Sequence, residues 1–202
     1  MKAVLTSIAL ATLAASGAAS ATVLTSRIHA DNNFIAYIST SDTVAGTAFS
    51  SGDTWEVAGT GTANLDKGQD YYLHIVARDT WGLAGLLGQF TLVDSTHQFA
   101  NGGQSLLTNT TDWQGNTTGF NGVYTENLGA YGTNGAQTWG WRDGMAADAQ
   151  WIWAGSQEWN DAAYFSTRIS AVETSDVPEP GSLALLGLGL AGVAALSRRR
   201  KS

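Results

Sequence analysis

From Tyr71 to Arg78 the chain alternates residue by residue. Tyr71, Leu73, Ile75 and Ala77 fall on one face of an extended backbone, and Tyr72, His74, Val76 and Arg78 on the other. That period belongs to a strand, and outside the two ends of the chain no long segment sustains a helical period. Phe34-Ile35-Ala36-Tyr37-Ile38 is a second run of strand formers, held between the turn-type residues Asp31-Asn32-Asn33 and Ser39-Thr40-Ser41-Asp42. Phe90 to Val93 is a third. Ala163 to Ile169 is a fourth, with Phe165, Thr167 and Ile169 opposite Tyr164, Ser166 and Arg168. Gly-, Asn-, Asp- and Thr-rich connections separate these runs. Many short strands with turn signals predict an all-β domain, an antiparallel β-sandwich or jelly roll.

The ends follow different rules. Residues 1–21 begin with Lys2, continue through a small apolar run, and finish on Ala19-Ser20-Ala21. This is the pattern of a signal peptide, with cleavage after Ala21 and Thr22 as the mature N-terminus. At the other end, Leu183 to Leu196 is uncharged and apolar and is followed by Arg198-Arg199-Arg200-Lys201. Fourteen helical residues rise only ~21 Å against a hydrocarbon thickness of ~30 Å, so a single transmembrane helix needs about 182–197 and snorkelling arginines. The cations place the tail on the cytoplasmic side and the domain outside the inner membrane.

Pro178-Glu179-Pro180, then the apolar run, then Arg198, Arg199 and Arg200 resembles the PEP-CTERM sorting signal of Gram-negative bacteria. The resemblance covers residues 178–202. It implies an exosortase-type protease as partner, a membrane-anchored precursor, and delivery to the cell surface or extracellular matrix, where such proteins accompany exopolysaccharide. It leaves residues 22–177 as the exported domain.

Within that domain, Ala30 to Ile38 resembles the first hairpin of galactose-binding-like β-sandwiches. Trp55-Glu56-Val57, Leu65-Asp66-Lys67-Gly68, Gly82 to Leu87, and Ala149 to Trp153 with Ala163-Tyr164-Phe165 follow in a similar order. No Asn-Gly pair closes the first strand at Ser39-Thr40. The resemblance implies a sandwich fold and carries no ligand site.

Charge and composition narrow the chemistry. Half of the ten basic residues lie at the two ends, so residues 22–177 carry sixteen acids against five bases, a net of −11. Nucleic acid is an unsuitable partner for such a surface. Without cysteine there is no disulfide, thiolate zinc site or thiol nucleophile. Gly59-Thr60-Gly61-Thr62-Ala63-Asn64 lacks the third glycine of a dinucleotide loop, and the glycines from Gly82 to Gly88 lack the Lys-Ser/Thr of a phosphate loop. His29, His74 and His97 stand apart, without a recognisable nucleophile motif. A hydrolase, with two carboxylates about 5–9.5 Å apart across a sugar, is the least favoured class.

Eight tryptophans in the domain favour binding, because indole planes stack on the C–H faces of sugars. Trp113, Trp139 and Trp141, flanked by Asp112 and Asp143, are the candidate carbohydrate-binding residues. Trp139 and Trp141 share a face if their segment is extended, although core packing is the commoner role of tryptophan. Trp151 and Trp153 are expected in the sandwich interior, and Trp55 and Trp81 are candidates for it. Asp31 and Asn33 offer oxygens to a structural calcium, yet Asp and Asn are also simply turn residues. No other cofactor is expected. The resulting expectation is a non-catalytic surface or matrix protein that binds exopolysaccharide or a cell-envelope glycan. The alternative is a structural matrix protein or adhesin without glycan affinity.

Overall fold

A computed structural model describes residues 21–136 and 138–172, together with Gly187. The chain divides into two units, Met1–Ala171 and Val172–Ser202. Ala19 and the rest of the signal peptide before Ala21 lie outside the described residues. So do Pro178, Glu179, Pro180, Arg198, Arg199 and Arg200, and the apolar run about 182–197 apart from Gly187. Among the described residues, no helix is long and apolar enough to cross a membrane.

Among the described residues of the first unit, the twelve elements are all strands: β1 (Thr22–Asp31), β2 (Asn33–Ser39), β3 (Thr47–Gly52), β4 (Gly59–Leu65), β5 (Tyr71–Arg78), β6 (Gly85–Leu92), β7 (His97–Phe99), β8 (Ser105–Leu107), β9 (Gln114–Asn116), β10 (Leu128–Thr133), β11 (Gln150–Ala154) and β12 (Ala162–Ala171). They form two antiparallel sheets. The first runs β10-β11-β6-β1-β4 with β8 beside β6, and the second runs β3-β2-β5-β12-β7 with β9 beside β12. The pairs β1/β2, β3/β4, β5/β6 and β11/β12 each place one member in either sheet, and they follow the same order across both. The all-β sandwich expected from the alternation is the observed architecture.

The core lies between the sheets. Leu24 and Ile28 of β1 and Leu86 and Phe90 of β6 meet Phe34 of β2, Leu73 and Ile75 of β5, and Phe165 and Ile169 of β12. Each such side chain contributes about 1.5–3 kcal/mol when removed from water. Trp153 joins them with its ring 6.0 Å from Phe165, and its Nε1 donates to the Asn160 carbonyl at 3.1 Å.

Both outer faces are also covered, which the simple alternation did not anticipate. On the second sheet, His74 points away from the core yet has no exposed surface. Phe120 stacks on it at 4.9 Å and meets Tyr37 and Tyr164 edge-on at 5.7 and 5.1 Å. On the first sheet, the connection 134–149 between β10 and β11 lies over Leu87 and Trp151. Trp139, Met145 and Ala149 complete a second apolar cluster there. Trp151 therefore belongs to this outer cluster and not to the interior between the sheets. The glycine-rich segment 59–64 is an edge strand paired with β1. A Cβ on Gly61 would collide with the Phe49 carbonyl of β3, so glycine is required where the sheets approach.

Truncating Trp153 to Ala should cost about 3–5 kcal/mol in urea unfolding, because the neighbours of a fully enclosed indole relax only partly. The same change at Trp81, which is 82% exposed, should stay within about 0.5 kcal/mol.

Candidate functional site

The expected platform of Trp113, Trp139 and Trp141 does not assemble. Trp113 and Trp139 are each 3% exposed, whereas Trp141 is 54% exposed. Trp113 packs on Phe90 at 5.3 Å and donates Nε1–H to the Leu107 carbonyl at 3.1 Å. Its neighbour Asp112 accepts from the Asn109 amide at 2.8 Å. Trp139 stacks on Trp151 at 4.3 Å, while its Nε1 donates to Asp31 Oδ2 at 2.8 Å. Gly140 between the two residues has φ +60, a left-handed turn that breaks the extended path and sends Trp141 away from Trp139. Of the candidate set, only Trp141 and Asp143 share a site.

Of the two calcium candidates, Asp31 has side-chain partners of its own. Asp31 accepts from Trp139 through Oδ2 and from the Asn32 amide through Oδ1 at 2.8 Å. Burial raises its carboxyl pKa above the ordinary range, the Trp139 hydrogen bond opposes that, and the nearby Asp79 charge adds to it. Asn33 opens β2 opposite Arg78. Among the described residues, no three His, Cys, Asp or Glu side chains converge as a metal site.

Trp141 and Asp143 border a cavity of about 380 Å3 on the outer face of the first sheet, together with Arg27, His29, Glu56 and Arg142. Alternation along β1 puts Arg27 and His29 on that face, with register partners Gln89 and Leu87 on β6. The 134–149 connection supplies the opposite wall. Asn134 fixes it by accepting from the Arg142 amide at 2.7 Å and donating to the Arg142 and Met145 carbonyls. Gly144, at φ +76, lies so close to the Arg27 guanidinium that a Cβ would sit 2.9 Å from it. The Arg142 guanidinium lies 4.7 Å over the Trp55 ring. His29 is 3% exposed, and its Nδ1 bonds the Trp55 carbonyl at 2.8 Å. Its Nε2 and the Nε atoms of Arg27 and Arg142 are enclosed without a hydrogen-bond partner. Burial lowers the His29 pKa, and the charges of Arg142 and Arg27 lower it further against the Trp55 hydrogen bond. A larger cavity of about 650 Å3, bounded by Ile38, Ser39, Val44, Phe49 and Tyr71 among others, holds no charged side chain.

A second feature lies in the loops after β5 and β11. The Asp79 amide donates to the Asp161 carbonyl and the Ala84 amide to the Gln157 carbonyl, both at 2.9 Å. Between those two ties, Trp81 and Trp159 are 82% and 81% exposed. Asn32 braces the first loop, its Oδ1 accepting from the Thr80 amide at 2.7 Å and the Thr80 hydroxyl at 2.6 Å. Asn160 braces the second by accepting from the Ser156 amide at 2.7 Å. Sequence reasoning passed over both indoles, placing Trp81 among the interior candidates. The signal was their position in polar turns rather than in strand-like runs.

Asp42, His74 and Ser166 also meet, on the outer face of the second sheet. Ser166 Oγ donates to Asp42 Oδ1 at 2.6 Å, and His74 Nε2 lies 3.4 Å from the same oxygen. The hydroxyl therefore bonds the carboxylate instead of the imidazole, unlike a serine nucleophile activated by histidine.

Residues 176–201 match the family model for the PEP-CTERM protein-sorting motif. The chain carries a PEP-CTERM sorting signal. No curated protein and no solved structure matches the chain. The PEP-CTERM segment follows β12 and addresses the domain for export and processing by an exosortase.

His29 makes a measurable prediction. A histidine whose pKa is lowered in the folded state contributes stability that is present above its unfolded value, about 6.5, and is lost as pH falls through the folded value. The melting temperature of the wild-type domain should therefore drop as pH falls below about 6.5. In His29→Gln that part of the pH dependence should be absent.

Proposed function

We propose that this protein is a non-catalytic surface or matrix component that binds exopolysaccharide through Trp81 and Trp159. The observation that supports this reading is the exposure of both indoles on loops tied to each other by backbone hydrogen bonds. A tryptophan in water exposes apolar area that folding could have hidden, and six others in this domain are at least partly sheltered or bordered by structure. Indole planes held by braced loops lose little conformational entropy on meeting a sugar ring, because two torsions define each side chain. Glu158, Asn160 and Asp161 beside Trp159 offer hydrogen-bond partners to hydroxyls. The PEP-CTERM signal agrees with this role, since it delivers the domain to where secreted polysaccharide accumulates.

Sedimentation with purified exopolysaccharide tests the reading. Trp81→Ala and Trp159→Ala should each weaken binding by several-fold, about 1 kcal/mol, while leaving the melting curve unchanged. Undiminished binding in the double variant would remove this end of the sandwich as the contact surface. Self-association without glycan affinity would favour the structural alternative.

The sorting step is tested in cells. With residues 178–202 deleted, the domain should be recovered in the periplasm or the medium and no longer at the surface. Unchanged surface delivery would contradict sorting through the tail.

A further inference from the structure

We infer that the cavity bounded by Arg27, His29, Glu56, Trp141, Arg142 and Asp143 binds the acidic sugar units of an anionic polysaccharide, with the sugar carboxylate on the two guanidinium groups. The inference takes its ligand class from the glycan-binding reading but uses none of the residues at the Trp81/Trp159 end.

Three observations converge on it. The first concerns charge. Residues 22–177 hold only five bases among sixteen acids, yet two of the five line this one cavity. Among the described residues the ion pairs are Arg168 with Asp70 and His74 with Asp42, so neither Arg27 nor Arg142 has a carboxylate within 4.0 Å. In so acidic a domain, a cavity that gathers two guanidinium groups not engaged in an ion pair, even with Glu56 and Asp143 also in its lining, is where an anion finds cations to meet it. Guanidinium groups also suit a carboxylate in particular, because they can donate two parallel hydrogen bonds to it.

The second observation is the enclosed histidine. His29 lines the same cavity, is only 3% exposed, and its Nε2 is enclosed without a partner. Enclosed polar atoms without partners are rare and costly in folded proteins, and they call for an explanation at the site where they cluster. Here three such nitrogens belong to residues that line one cavity, Arg27, His29 and Arg142.

The third is the sugar-type surround. Trp141 offers a half-exposed indole face at the rim. Glu56 and Asp143 are exposed and accept hydroxyls, the donors that a sugar acid carries beside its carboxylate. A cavity of about 380 Å3 is within the range of small-ligand sites. A bare inorganic anion would use the arginines and leave the indole and the two carboxylates idle.

Binding would also act on His29. Arg27 on its own strand, Arg142 on the covering connection, and Glu56 and Asp143 at the rim are the charged groups that share its cavity. A carboxylate on the two arginines offsets the field that now disfavours imidazolium, so the His29 pKa should rise on binding.

The experiment is an NMR titration of the exported domain with sodium glucuronate, followed on the Trp141 indole and the His29 imidazole. Glucose and sodium sulfate are titrated in parallel. The expected result is saturable shifts at both residues with glucuronate, affinity at least about ten-fold weaker for glucose, and an upward move of the His29 pKa in the complex. Arg142→Gln should abolish the glucuronate response. Trp141→Ala, at an exposed position, should weaken it without disturbing the fold. Equal response to glucose would overturn the role of the carboxylate. A sulfate response matching that of glucuronate, with no Trp141 shift, would overturn the sugar assignment. No response, or full retention in a folded Arg142→Gln variant, would overturn the site. Glucuronate binding that survives in the Trp81→Ala/Trp159→Ala variant alongside lost polysaccharide binding would show that the two surfaces act separately. Intact polysaccharide binding with no glucuronate response would reject this cavity alone.

Discussion

The register of β1 between β4 and β6 sets most of what this molecule can do. Leu24, Ile28 and Ala30 point between the sheets, and Arg27 and His29 point outward, because the pairing Ile28 with Gly88 and His29 with Leu87 is fixed on one side and Ile28 with Gly59 on the other. A slip of one residue would exchange the two sets, driving a guanidinium and an imidazole into an apolar interior. The cost of that exchange locks the strand, and the locked strand presents two cations on a face roofed by the 134–149 connection. The same connection does two jobs along its length. Trp139 and Met145 bury the apolar half of the sheet, and Trp141 to Asp143 border the polar half.

How much of this was readable in advance depended on how strongly each strand's own residues declared themselves. β5 was legible from its alternation, and β2 and β12 from runs rich in aromatic and β-branched residues between turn signals. β4 was not, since Gly59 and Gly61 disfavour strands, the segment shows no apolar alternation, and it is held by its neighbour β1. β1 was obscured because Ser26 lies on its inner face and Val23 on its outer face. The covered outer faces were invisible for a related reason. His74 reads as a solvent residue until Phe120, forty-six positions later, stacks on it.

The tryptophans show the same limit at the level of the site. The i, i+2 argument for Trp139 and Trp141 assumed an extended segment, and a single left-handed residue at Gly140 cancels it. Trp81 and Trp159 owe their shared place to backbone hydrogen bonds between loops about eighty positions apart in sequence. Local pattern carries no trace of such a tie. By contrast, the PEP-CTERM segment was fully legible because its meaning rests on a contiguous string of residues.

The exit of the chain from β12 has a mechanical consequence. β12 lies inside its sheet, laddered to β5 along one side and to β7 and β9 along the other, and Asp70 clasps its last residues through the Ala171 amide and Arg168. Consider a pull on Ala171 directed along the strand axis. It must shear both ladders together, whereas pulling on an edge strand opens one bond at a time. The last strand of the domain is thus held against extraction along its axis by many hydrogen bonds acting together rather than in turn.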